Sequence, residues 1–211
     1  MADSGKRTAE IRFGRTVVTA AAGELVDQPV EAIVVAGNQR AMFAAGAAST
    51  LWSAAGEEVE RELRSHSPFE IGTAAATDSG RLAERGIRMI AHAIIAPGLG
   101  EKPKPRQIPR ALERALDLVA ERRARSVALP ILGIAFDADA EARSDAAWVV
   151  IEALAQHLRT HPNRLERAIL VSRFDDDLAP LQTMIAQARD RLWTHEPLLM
   201  LGRSRSIGPT R

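Results

Sequence analysis

Five histidines, a run of three aspartates and a small-residue loop behind an apolar strand are the places where this sequence could do chemistry; cysteine is absent. The loop comes first. Ala32-Ile33-Val34-Val35-Ala36 is a short apolar, β-branched run stopped by Gly37-Asn38, as suits a strand buried on both faces. Beyond it, Leu51, Trp52, Ala55, Val59 and Leu63 recur close to a 3.6-residue period, which predicts one amphipathic helix from about Ala47 to Arg64. A strand entering a helix through Ala44-Ala45-Gly46 presents unpaired amides and a positive dipole end at the strand's carboxyl edge, a setting that favours phosphate. The same residues equally suit a plain connection whose small side chains serve packing.

The remaining polar groups have blander expectations. His157 and His161 stand four apart near a predicted helix end, a metal-compatible spacing. No third ligand is in view in the sequence, so they are expected to cap the helix or meet solvent, and no metal is assigned. Asp175-Asp176-Asp177 could hold magnesium against phosphates, but a helix N-terminus favours the same run, and capping is expected. His92 lies inside an apolar strand and reads as a hydrogen-bonded core residue rather than a catalyst.

Alternating elements must position these groups. Residues 1–8 are polar and expected to be flexible, and Ile11-Arg12-Phe13 and Thr16 to Ala20 read as a hairpin of two short strands. Gly23-Glu24-Leu25-Val26 and Pro29 turn the chain into the strand at 32–36. Residues 65–71 read as a loop, 72–77 as a modest strand closed by the turn Asp78-Ser79-Gly80, and 87–95 as a further strand. The segment 97–109, PGLGEKPKPRQIP, is the most loop-like of the chain and has the character of a lid. A helix at 110–123, a strand at 126–132, a second small-residue loop at 133–137 and a helix at 140–159 follow. The pattern closes with a strand at 167–174, a helix at 178–193 and, from 196 to 211, a basic flexible tail. Strands alternating with helices imply helices on both faces of a mainly parallel sheet, in one domain spanning 9–195.

Composition narrows the partners. A chain of 211 residues can bury a sizeable core in one domain. A net charge of +1 gives no electrostatic case for nucleic acid or membrane. Absence of cysteine removes disulfides, thiolate metal sites and a thiol nucleophile, and is compatible with a reducing compartment. No apolar run is long enough to span a bilayer and the first residues lack the apolar core of a signal peptide, so a cytoplasmic protein is expected.

The order of these pieces resembles a macrodomain, the family of ADP-ribose-binding α/β/α modules. The resemblance runs from about Gly23 to Arg189 and rests on EAIVVAGN, AAGAASTLWSAAGEEVERELR, IGTAAAT followed by MIAHAIIAP, SVALPIL and AILVSRFDD. It implies a three-layer α/β/α fold around a mixed, mainly parallel sheet, with a cleft at the strand ends that holds ADP-ribose in an extended pose. Glu24 stands where the family usually has an aspartate accepting from the adenine amino group, beside Leu25, and Phe174 where many members stack a ring on adenine. Asn38 matches the asparagine facing the distal ribose. Ala45, Gly46 and Ala47 match the first phosphate loop, and Gly133, Ile134, Ala135 and Phe136 the second.

Departures from the family pattern are concentrated at the distal end. Phe43-Ala44-Ala45 replaces a run of glycines, Ile134-Ala135 replaces a Ser/Thr-Gly pair, and the aspartate of hydrolase branches is matched by Ala48. Alanine resists positive φ, and a methyl group cannot act as a base. The expected function is a module that binds ADP-ribose or a related adenine nucleotide, free or on an ADP-ribosylated protein, with no cofactor and no carboxylate-dependent hydrolysis. Two alternatives are a hydrolase working by substrate-assisted water attack, with Asn38 and loop amides holding the ribose, and a scaffold that has lost its ligand and works through protein contacts. The oligomeric state is not readable from the sequence.

Overall fold

The computed structural model describes residues 7–42, 47–98, 100–103, 106–134, 138–161 and 164–193. Seven strands form one sheet: β1 (Ile11–Phe13), β2 (Thr16–Ala22), β3 (Ala32–Asn38), β4 (Ala74–Asp78), β5 (Met89–Ala96), β6 (Ser126–Pro130) and β7 (Arg167–Ser172). Their order across the sheet is β1-β2-β7-β6-β3-β5-β4. The five strands from β2 to β5 pair in parallel, and the edge strands β1 and β4 are antiparallel to their neighbours. Every residue of β5 is buried, which explains why its sequence shows no polar alternation.

The helices are α1 (Ala47–Ala55), α2 (Glu57–Ser65), α3 (Gln107–Glu121), α4 (Ala140–Thr160) and α5 (Leu178–Trp193). One face of the sheet packs Val34, Leu129 and Leu170 against α3, α4 and α5; the other packs Ile33, Val35 and Ile169 against α1 and α2. This is the three-layer α/β/α arrangement expected from the alternation of elements. No described helix is long and apolar enough to cross a membrane.

Several expected boundaries move for local reasons. The single helix predicted from Ala47 to Arg64 is two helices, because Gly56 sits at φ +106 and a Cβ there would lie 2.6 Å from the Glu58 carboxylate. Helix α3 starts at Gln107 rather than Arg110, since Pro109 falls in its first turn, where a missing N–H is tolerated. Strands β6 and β7 stop at Pro130 and Ser172, two residues short of the expected ends, and Asp175–Asp177 form a 3-10 turn. Asp177 turns inward there and is buried. His157, expected to cap or be solvated, is buried at 2% exposure.

Candidate functional site

Because β2, β7, β6 and β3 are adjacent and parallel, the segments following them gather along one carboxyl edge. That edge carries Glu24 after β2, Phe174 after β7, Gly133 and Ile134 after β6, and Asn38 at the end of β3. Gly23 N–H donates to Ser172 O at 2.9 Å, which closes the gap between the segments bearing Glu24 and Phe174. The large apolar side chains exposed among the described residues, Met42 and Phe174, both follow strands of this edge, at 39% and 44% exposure. Solvent-facing apolar surface beside a crevice is where a ring-bearing ligand gains most.

Phe174 is held from beneath. The Arg143 guanidinium carbon lies 4.3 Å from its ring centroid, a cation–π contact. Arg143 belongs to the first turn of α4, whose start is fixed by Asp139 accepting from Ala142 N–H at 2.8 Å. Its Nε donates to both Asp177 oxygens at 3.2 Å, its Nη2 to Oδ1 at 3.1 Å and its Nη1 to Ala138 O at 2.9 Å. The Ser172 hydroxyl donates to Asp177 and accepts from Phe174 N–H at 3.2 Å. The fork leaves one face of Phe174 occupied and its position determined from three directions. Arg143 was missed by the sequence reading; the Asp139 cap is the one signal that would have placed it behind the second loop.

Glu24 has a partner of its own, Arg173 Nε at 3.5 Å from Oε1, with both side chains about one-third exposed. An ion pair so placed is weak and yields readily to a competing donor. Leu25 turns its side chain into the core and opens a 3-10 turn, so only its main chain is left for a ligand.

Asn38 is placed at the edge as expected, yet its amide is already engaged. Its Oδ1 accepts from Arg40 N–H at 3.2 Å and Met42 N–H at 3.1 Å, and its Nδ2 donates to Met42 O. These bonds hold a tight turn in which Ala41 adopts φ +50, a costly conformation for a residue with a Cβ. A register shift between Gly37 and Asn38 starts that turn. One amide hydrogen remains to Asn38 beyond these contacts. Gly133 has φ +84, a conformation that favours glycine, and a Cβ there would press on the terminal methyl of Ile108 at 2.4 Å. Ile134 packs against the α3, α4 and α5 layer. Ala47 opens α1, whereas Phe43, Ala44, Ala45, Gly46, Ala135 and Phe136 lie outside the described residues.

His92 is remote from chemistry. It is fully buried in β5, stacked on Trp52 with centroids 5.5 Å apart, and its Nε2 meets Thr77 Oγ1 at 2.9 Å. Burial lowers its pKa from 6.5 to about 3, so the ring is neutral at any ordinary pH. A depression of about 460 Å³ at the opposite, amino edge is lined by Glu58, Glu62, Asp78 and Arg88. Three carboxylates against one guanidinium make it unsuited to a diphosphate.

Comparison with known proteins agrees with the geometry. The Macro domain family model matches residues 34–138. An uncharacterized protein of Aquifex aeolicus is 28% identical over 152 residues, covering 71% of this chain and 86% of its own length. Uncharacterized protein PAE1111 of Pyrobaculum aerophilum is 29% identical over 154 residues, 69% of this chain and 82% of its own. Among solved structures, the Oceanobacillus iheyensis macrodomain with ADP superposes with a TM-score of 0.72 at 17% identity, covering 88% of this chain and 99% of that one. The Trypanosoma brucei macrodomain in complex with ADP gives 0.68 at 18%, covering 82% and 70%. Strand order and the matched family model converge on one conclusion: the chain belongs to the macrodomain family.

Proposed function

We propose that the chain binds ADP-ribose or a related adenine nucleotide along the carboxyl edge of β2, β7, β6 and β3, with adenine on the open face of Phe174. The observation that carries this reading is the exposed ring fixed from beneath by Arg143, Asp177 and Ser172. A ring ordered before binding loses little entropy when a base stacks on it. Macrodomains of the same fold seen with ADP support a nucleotide ligand. An ADP-ribosyl group on a protein would present the same adenine end.

The distal half is read as remodelled. The Asn38 amide is committed largely to the turn at 40–42, and residue 48 is an alanine, which neither takes a proton nor orients water. Recognition, rather than carboxylate-dependent removal of ADP-ribose, is therefore the proposed role. Incubation with an ADP-ribosylated protein is expected to release no ADP-ribose; turnover would overturn this part alone.

Calorimetric titration tests the adenine end. Phe174→Ala is expected to weaken ADP-ribose and AMP equally, by about 1–3 kcal/mol as for base–aromatic stacking elsewhere, and to leave the fold intact because the ring is 44% exposed. Affinity equal to wild type for both ligands rejects the assignment. Glu24→Ala is expected to cost about 1.5–3 kcal/mol as a lost charged hydrogen bond. Hypoxanthine analogues, which lack the amino donor, should then bind wild type less well than adenine forms; equal binding of the two removes Glu24 from the site.

A further inference from the structure

We propose that α3 and α4 hold a divalent transition-metal ion, of the Zn2+ class, between Asp117, His157 and His161, with Glu113 as a fourth donor. One ligand atom from each of the first three lies within 4.8 Å of the others, although Asp117 is 40 residues from His157 in the chain. Glu113 and Asp117 stand one turn apart on α3, as do His157 and His161 at the end of α4. The four side chains converge in pairs: His161 Nε2 is 3.3 Å from Glu113 Oε1, and His157 Nδ1 is 3.9 Å from Asp117 Oδ1.

Two features ask for a cation there. His157 is 2% exposed, and neither ring nitrogen has a hydrogen-bond partner. A buried polar ring left unsatisfied is costly, and an ion is one of the few things that satisfies it without a protein donor. The second feature is a proton count at His161. Thr160 donates its hydroxyl hydrogen to Gln156 O at 2.8 Å, so its oxygen accepts from His161 Nδ1–H, also at 2.8 Å. In the neutral ring Nε2 then carries the lone pair, and that lone pair faces a carboxylate oxygen. A proton on Nε2 makes that contact an ion pair, and a metal ion placed between the two atoms would join them by binding each. Thr160 also acts as the outer hydrogen bond that orients a metal-bound imidazole.

The donor set selects the metal. Two imidazoles with carboxylates suit Zn2+, Co2+ or Ni2+ rather than Mg2+. A tetrahedral ion with bonds of ~2.0–2.1 Å sets its ligands roughly 3.4 Å apart, so small rotations of Asp117 and His161 close the cluster. Arg114 holds Asp117 Oδ2 at 3.1 Å and leaves Oδ1 for the ion. The stacked imidazoles, with centroids 4.6 Å apart and planes within 5° of parallel, hold their in-plane lone pairs in neighbouring planes, so the rotation that brings His161 onto the ion tilts it out of the stack. Since α3 and α4 follow parallel strands and run back toward their amino ends, the cluster lies away from the nucleotide edge. The ion's role is to clamp α3 to α4.

The test uses the full chain without an appended histidine tag, freed of metal by a chelator and titrated with Co2+ and then Zn2+. Wild type should show the visible bands of tetrahedral Co2+, lost on adding Zn2+, and Zn2+ at 100 times its Kd should raise Tm by roughly 5–10 °C. His161→Ala and Asp117→Asn, both at partly exposed positions, should each weaken Zn2+ about 10- to 100-fold while leaving ADP-ribose affinity unchanged. His157→Ala opens a cavity under α4 and is a poorer probe. The proposal is overturned if wild type gives no Co2+ bands and no rise in Tm, or if both variants bind as wild type does, which would put the metal elsewhere.

Discussion

Asp177→Ala is expected to lower the free energy of unfolding by about 3 kcal/mol and to weaken adenine nucleotides along with it. The substitution strands the Arg143 guanidinium, whose side chain is 14% exposed, by removing the acceptor of its Nε and Nη2, and it takes the Ser172 hydroxyl's acceptor as well. Removing one partner of a buried pair typically costs about 3–5 kcal/mol, and residual solvent contact places this pair at the low end. Urea titration reads the change, with the midpoint falling and the slope unchanged. A loss below about 1 kcal/mol would show that the pair is effectively solvated. Replacing both charges, as in Arg143→Met with Asp177→Leu, should recover much of the stability but not the nucleotide affinity, because the support under Phe174 is gone. That difference separates a platform for the ligand from a strut for the fold.

The second large effect is with pH. In the unfolded chain His92 takes a proton as pH falls through 6.5; in the folded chain burial delays this to about 3. The unfolded state therefore binds more protons between these values, and stability drops as pH is lowered across that window. All of the stabilisation is present above 6.5. At roughly 1.4 kcal/mol per pH unit the full loss amounts to about 5 kcal/mol. His157 acts in the same direction: burial and then His161 lower its pKa to about 4, against the opposing pull of Asp117. His92→Gln can keep a bond to Thr77 and removes the titration, so its unfolding free energy should fall by about 3 kcal/mol less than that of wild type between pH 7 and 4. Parallel profiles would mean that His92 is not held neutral by burial.

The layers of this protein were legible because their signals are local. Runs such as 32–36, 87–95, 126–132 and 167–174 lack polar alternation, and strands covered on both faces do too. Helix α2 shows its buried face as Val59 and Leu63, four apart. What blurred was the punctuation. Gly56 reads equally as a tolerated helix residue or a break, and the positive φ that decides it belongs to the chain path between α1 and α2. Pro109 reads as loop until α3 is seen to begin just before it.

By itself the sequence placed Glu24, Asn38, Gly133 and Phe174 at or just beyond the ends of strands in an α/β fold, since the period of the pattern and its interruption are carried by neighbouring residues. Tertiary structure decided which of them meet. Placing β2 beside β7 brings Gly23 against Ser172, and packing α4 over β7 puts Arg143 under Phe174 and against Asp177, 34 residues away. It likewise spent most of the Asn38 amide on its own turn and gave His157 and His161 the carboxylate of Asp117. Such contacts leave no periodic trace, because they depend on strand order and helix packing between segments far apart in the chain, where sequence spacing carries no distance.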